Sequence, residues 1–268
     1  MGQGAGKTAL VTGASSGIGK AFAELLAAQG FALVVTARRG DRLEALAVEL
    51  AKKHGVTVHT LVADLAHAEA PARIAAELAA RGLQVDVLVN NAGYGVPGTF
   101  DRVAWDEHAR FMQVMVTAVL ELTHRLLPGM IERGWGRIIN VASVAGMVPS
   151  PAGHTLYGAS KALLIRFSEA LNAENMSRGV HVCALCPGFT WSEFHDVLGT
   201  RDKMNQMPGF LWLRADDVAR EGYEAVMKGQ SVVINGRVYR FVVWLTGALP
   251  RSLSRLVSGA AGRRYRKT

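Results

Sequence analysis

The feature that most limits what this chain can fold into is an alternation. Short runs rich in Val, Ile and Leu succeed one another, each separated from the next by a stretch with helical spacing. Six runs read as strands: ALVTG, FALVVTA, VTVHTLVAD, VDVLVNNAG, GRIINVAS and VHVCALCPG. Between them the spacing predicts five helices. The first covers Gly17–Gln29, with Ile18, Phe22, Leu25 and Leu26 on one face. The second covers Asp41–His54, with Leu43, Leu46 and Leu50 three and four apart. The others cover Glu69–Arg81, about Trp105 to Arg133, and Thr155–Arg178. Strands that read as continuous apolar runs are covered on both faces, and a helix between successive strands makes them parallel. The pattern therefore predicts a doubly wound α/β domain, a three-layer αβα sandwich around one parallel sheet. No linker or repeat divides it. A chain of 268 residues, half of them hydrophobic and 19% charged, suits a single domain with a large core. Ligands of such sheets bind outside the carboxyl ends of the strands. The residues to inspect are those that end the strands: Gly13, Arg38, Asp64, Asn90, Ser143 and Pro187.

Several function classes recede at this point. The apolar stretch Ala9–Val11 is too short for a secretory signal, and no run of about 18 apolar residues reads as a membrane span. Cys183 and Cys186 stand in C-x-x-C spacing, but on a strand residues three apart face opposite sides, so core packing outweighs a redox pair. Two cysteines without a disulfide framework fit a reducing cytoplasm. No residue set reads as a metal site. The net charge of +8 is local: nine basic residues and no acid lie between Ala225 and Thr268, and +8 less these nine leaves about −1 for the rest. A near-neutral body with a basic end does not read as a nucleic-acid binder.

The cofactor side is carried by TGASSGIG, Thr12–Gly19, at a strand-to-helix junction. Gly13, Gly17 and Gly19 let the backbone turn sharply and approach a pyrophosphate at a helix N-terminus, with Ser15, Ser16 and Ile18 completing the loop. A tight β–α turn without a ligand has the same pattern. After the second strand an NAD site needs an acid for the ribose 2′-hydroxyl. Here Arg38 and Arg39 follow Ala37, with no acid before Asp41, and the planar guanidinium suits the 2′-phosphate of NADP(H).

The catalytic side is carried by YGASK. Tyr157 and Lys161, at i and i+4, share a helix face, so an ammonium is expected to lower the tyrosine pKa and make it a general acid or base. Ser143, ending the preceding strand, can bond the same substrate oxygen. TGASSGIG, NNAG at Asn90–Gly93, NVAS, YGASK and PGFTWSEF at Pro187–Phe194, in this order and spacing, resemble the short-chain dehydrogenase/reductase family over roughly Lys7 to Gly236. The resemblance implies a Rossmann-type sheet of about seven strands, the seventh at Ser231–Asn235, with extra C-terminal helices. It implies Asp64 and Leu65 near the adenine, and Asn90, Ala92 and Gly93 along the cofactor. Lys161 would also hold the nicotinamide ribose, and Pro187, Gly188, Thr190 and Ser192 would border the nicotinamide. Small-molecule carbonyl or alcohol substrates and a homo-oligomer, dimer or tetramer, are implied too.

One position departs from the family. Met115 falls where these enzymes carry an asparagine that helps hold a water in the proton path. A rebuilt relay, with Thr117 nearby, a slow enzyme, or a non-catalytic NADP(H)-binding scaffold or sensor would each account for it. Phe189, Trp191, Phe194, Met204, Met207, Phe210 and Trp212 make the segment after Pro187 apolar, which fits a lipophilic substrate or packing on the body. His154 reads as a surface residue or a substrate contact. Residues 237–268 read as a basic amphipathic extension: Leu249, Leu253, Leu256 and Val257 share a face away from Arg251 and Arg255. Such a segment can touch an anionic membrane, cap a pocket or join an oligomer.

Overall fold

The computed structural model describes residues 3–150, 155–193 and 207–248. Seven parallel strands form one sheet: β1 (Thr8–Thr12), β2 (Ala32–Ala37), β3 (Val58–Val62), β4 (Val85–Asn90), β5 (Gly136–Val141), β6 (Val180–Cys186) and β7 (Val232–Ile234). They lie in the order β3-β2-β1-β4-β5-β6-β7. The order reverses between β1 and β4, and all seven carboxyl ends share one edge, so the ligand crevice opens there.

The helices are α1 (Gly17–Ala28), α2 (Gly40–His54), α3 (Ala70–Ala80), α4 (Trp105–Met112), α5 (Ala118–Glu132), α6 (Thr155–Asn175), α7 (Ala215–Met227) and α8 (Arg237–Ala248). Apolar residues at helical spacing bury one face each: Phe22 and Leu26 of α1, and Leu43, Leu46 and Leu50 of α2, reach the sheet, while Ile18 and Leu25 pack at its margin. One core lies under α1, α2 and α7, and a second lies under α3 and α5 on the other face. This is the three-layer sandwich expected from the alternation. The seventh strand lies inside the expected Ser231–Asn235 span.

The long helix expected from Trp105 to Arg133 is not uniform. A π-helical turn, Gln113–Thr117, separates α4 from α5 and contains Met115. The stretch Trp105–Glu132 is also long and apolar enough, by length and composition, to cross a membrane. In the fold it is a core helix: Met115, Ala118, Val119, Leu122 and Met130 are buried. Cys183 and Cys186 are both buried and free, and they belong to cores on opposite faces of the sheet. Among the C-terminal elements α8 is described, whereas the face formed by Leu249, Leu253, Leu256 and Val257 lies outside the described residues.

Candidate active site

The glycine loop joins β1 to α1. Gly13 and Gly17 have φ of +67° and +55°, the left-handed region open to glycine. Contact adds a second requirement. A Cβ on Gly13 would sit 2.8 Å from Asn91 Nδ2, one on Gly19 2.3 Å from the Gly13 carbonyl, and one on Gly17 2.9 Å from Ser192 Cβ. Ser16 precedes α1 in extended conformation and makes no side-chain cap bond, and the first turn carries no acid. The amide end of α1 is therefore not occupied by the chain's own capping group, as an anion-binding helix start requires.

Asn91 braces this loop. Its Nδ2 donates to the Thr12 carbonyl at 2.9 Å and the Gly13 carbonyl at 3.3 Å. Thr12 Oγ1 accepts from the amides of Asn91 and Ala92 at 2.9 and 3.0 Å. The sequence pattern marks neither Asn91 nor Thr12, because only Asn90 ends the strand run. Asn90 turns inward: its Nδ2 donates to Asn140 Oδ1 at 2.8 Å and Thr123 Oγ1 at 3.1 Å, and Asn140 continues to Ser168. This polar chain ties β4, β5, α5 and α6 together inside the core.

At the end of β2, Arg38 is exposed, and Arg39 donates through Nε and Nη2 to Ser15 Oγ at 3.3 and 3.0 Å. Asp64 Oδ1 accepts from the Ala66 amide, and Leu65 is buried in the core. Ala92 packs on that core, and Gly93 lies under Met115, whose Sδ stands 2.9 Å from where a Cβ would be.

Ser143 follows β5 in extended conformation and opens a short 3-10 turn. Its Oγ accepts from the Ala145 amide at 3.1 Å and donates to the Pro187 carbonyl at 3.4 Å. Tyr157 and Lys161 lie one turn apart on α6. Lys161 is buried, and its Nζ donates to the Val141 carbonyl at 2.7 Å. That bond aims the ammonium at the end of β5, 5.7 Å from the Tyr157 ring centroid. Burial depresses the Lys161 pKa to about 8. The expectation that the ammonium would lower the Tyr157 pKa is corrected here. Tyr157 is raised above the usual phenol value, chiefly because its surroundings are poor in water, and among the described residues Ser143 opposes this.

Met115 fills an apolar cluster with Phe111 and Val116, against which Tyr157, Leu156 and Tyr94 pack. Thr117, the hydroxyl expected nearby, is exposed. After β6, Thr190 is buried, with Oγ1 donating to the Gly188 carbonyl, and the segment runs beside Leu213. Gly188 lies flat on Tyr239 of α8, whose hydroxyl donates to the Leu211 carbonyl and accepts from the Phe189 amide. Trp191 stacks on Trp212 at 4.1 Å, and Phe189 tilts against Trp212 at 6.1 Å. Phe210 is exposed. Phe194, Met204 and His154 lie outside the described residues.

The carboxyl edge thus joins a glycine loop to Ser143, Tyr157 and Lys161. A family model described as short chain dehydrogenase matches residues 7–202. Nodulation protein G of a Rhizobium species is 40% identical over 240 residues, 86% of this chain and 96% of that protein. The very-long-chain 3-oxoacyl-CoA reductase of Anas platyrhynchos is 40% identical over 202 residues, 74% of this chain but only 64% of that longer protein. Among solved structures, a short-chain dehydrogenase from Sphingobium yanoikuyae in complex with NADPH has a TM-score of 0.80 at 30% identity, over 91% of this chain and 96% of that one. Sheet order, loop and sequence agree, and the chain belongs to the short-chain dehydrogenase/reductase family.

Proposed function

We propose that this oxidoreductase uses NADP(H) to interconvert a lipophilic carbonyl and its secondary alcohol. The observation that carries the reading is the meeting of Ser143, Tyr157 and Lys161 beside a glycine loop whose left-handed residues leave no room for side chains. The loop and the uncapped start of α1 suit a pyrophosphate, and Arg39, held on Ser15, suits a 2′-phosphate, with Arg38 exposed beside it. NADPH, when bound, supplies the hydride. Tyr157 gives the proton: its raised pKa keeps the phenol protonated at neutral pH, the form required to reduce a carbonyl. Ser143, at the end of β5 and held by Ala145 and Pro187, orients the substrate oxygen. Lys161 fixes the start of the catalytic helix on the Val141 carbonyl and offers its remaining donors to the ribose.

The reading of a binding protein without turnover is not favoured, because Met115 displaces none of these three groups and several relatives are named reductases or dehydrogenases. A lipophilic substrate is supported by the apolar wall of Phe189, Trp191 and Trp212. It is supported also by similarity to a bulky-bulky ketone specific alcohol dehydrogenase from Comamonas testosteroni, TM-score 0.75 at 27% identity over 98% of this chain and 95% of that one. NADPH oxidation across aldehydes and ketones of increasing bulk tests the proposal. Turnover is expected with bulky apolar ketones, and turnover unaltered in Tyr157→Phe would refute the mechanism.

A second surface supports peripheral membrane contact. Of α8 only Tyr239 is buried, while Val238, Phe241, Val242 and Trp244 are exposed next to Arg237 and Arg240. With no acid between Ala225 and Thr268, an anionic lipid surface complements this helix, whereas a second copy of it brings like charges together. The full chain is expected to co-sediment with phosphatidylserine vesicles and not with phosphatidylcholine alone. Equal sedimentation of a Phe241→Ser, Trp244→Ser double variant would count against α8.

A further inference from the structure

Glu193 lies two residues beyond Trp191 in the stretch PGFTWSEF, and nothing in its sequence surroundings marks it for a role. Its carboxylate accepts from Arg39 Nη1 at 2.8 Å and from Arg42 Nη1 at 2.6 Å. Because Arg39 also donates through Nε and Nη2 to Ser15, all three of its nitrogens are engaged. Three stretches remote in sequence meet at this point: the glycine loop, the start of α2 and the segment that leaves β6. The bond from Arg42, seconded by Arg39, holds the Glu193 carboxyl below the usual carboxylate range, so it is ionised at neutral pH. The chain has placed one of its own anions on the guanidinium that suits a 2′-phosphate.

We propose that Glu193 is an internal competitor for the cofactor's 2′-phosphate at Arg39, and thereby sets how strongly the chain discriminates NADP(H) from NAD(H). The inference rests on the cofactor assignment made above. A phosphate monoester carries more charge than a carboxylate and more acceptor oxygens for a guanidinium fork, so it takes Arg39 in the exchange. Arg42 is then left to keep the displaced carboxylate. NAD(H), which has a hydroxyl in that position, leaves the Arg39–Glu193 pair intact. The exchange therefore weakens NADP(H) binding and leaves NAD(H) binding unaffected. Both side chains are about two-fifths exposed, at 39% and 41%, which keeps the effect small.

The test is calorimetric titration of the full chain with NADP+ and with NAD+, for wild type and Glu193→Gln, with no turnover required. Glu193→Gln is expected to bind NADP+ roughly two- to fivefold more tightly, the scale of a half-exposed ion pair, and NAD+ as tightly as wild type. An NADP+/NAD+ affinity ratio that stays level or falls overturns the proposal. So does a ratio that rises only because NAD+ weakens, since that would make Glu193 a structural staple of the segment. A wild-type chain without preference for NADP+ overturns instead the cofactor assignment beneath it.

Discussion

The glycine loop and the catalytic helix solve opposite problems on the same edge of the sheet. At the loop, function depends on side chains that are absent. Gly13, Gly17 and Gly19 leave the backbone bare, and what holds it is a set of short bonds from Asn91 and Thr12. On α6, function depends on side chains that are present where solvation is poor. Burial depresses Lys161 to about 8 and raises Tyr157, so each is pushed toward its neutral form. The loop is consistent with a stable fold, whereas the catalytic pair strains against it. Mutations should therefore part company: at the loop, binding and stability fall together, while on α6 activity and stability move in opposite directions.

The largest effect should come from Tyr157→Phe. Removing the proton donor is expected to lower kcat by about 100- to 10,000-fold while NADP+ binding, read by titration, stays close to wild type. Lys161→Met sharpens the contrast. A lysine with a folded pKa of about 8 against an ordinary 10.5 binds fewer protons folded than unfolded between those values, so its cost is full below pH 8 and fades as pH rises toward 10.5. Urea unfolding should find Lys161→Met more stable than wild type at pH 7 by up to about 3 kcal/mol, converging with it above pH 10, and inactive throughout. Arg38→Asp should raise the KM for NADPH about tenfold, the scale of one charge-assisted contact, and leave that for NADH lower or unchanged. Asn91→Ala gives the smallest change: about 1–2 kcal/mol of stability, from two lost hydrogen bonds, with weaker binding of both cofactors in step. If Asn91→Ala altered kcat and spared binding, the division between the two regions would fail.

Legibility in the sequence follows the same division. The strands are readable as continuous apolar runs, and most helices because apolar residues recur at period 3.6, as in Leu43, Leu46 and Leu50. The π-turn at Gln113–Thr117 is not, because the run FMQVMVTAV presents the same apolar spacing whether the helix closes at i+4 or i+5. Gly13, Ser143, Tyr157 and Lys161 could be found as ordered motifs. The direction of the Tyr157 shift could not, since spacing shows that a lysine is one turn away but not that its ammonium is aimed at Val141. The strand pattern ends on Asn90 and gives no weight to Asn91, and the structure separates their roles by side-chain direction. Glu193 and its arginines are about 150 residues apart, and no local pattern registers an ion pair at that separation.

The two thiols of β6 have a practical consequence. Cys183 and Cys186 are fully enclosed, on opposite sides of a strand flanked by β5 and β7, and burial raises each to about 12. They cannot reach one another to oxidise, and at pH 8 only about one molecule in ten thousand would carry a given thiolate even if reagent could enter. Alkylation must then wait for the sheet to part beside its edge strand β7. The chain carries its own chemical clock: the rate at which it consumes a thiol reagent measures how often this flank of the sheet comes open.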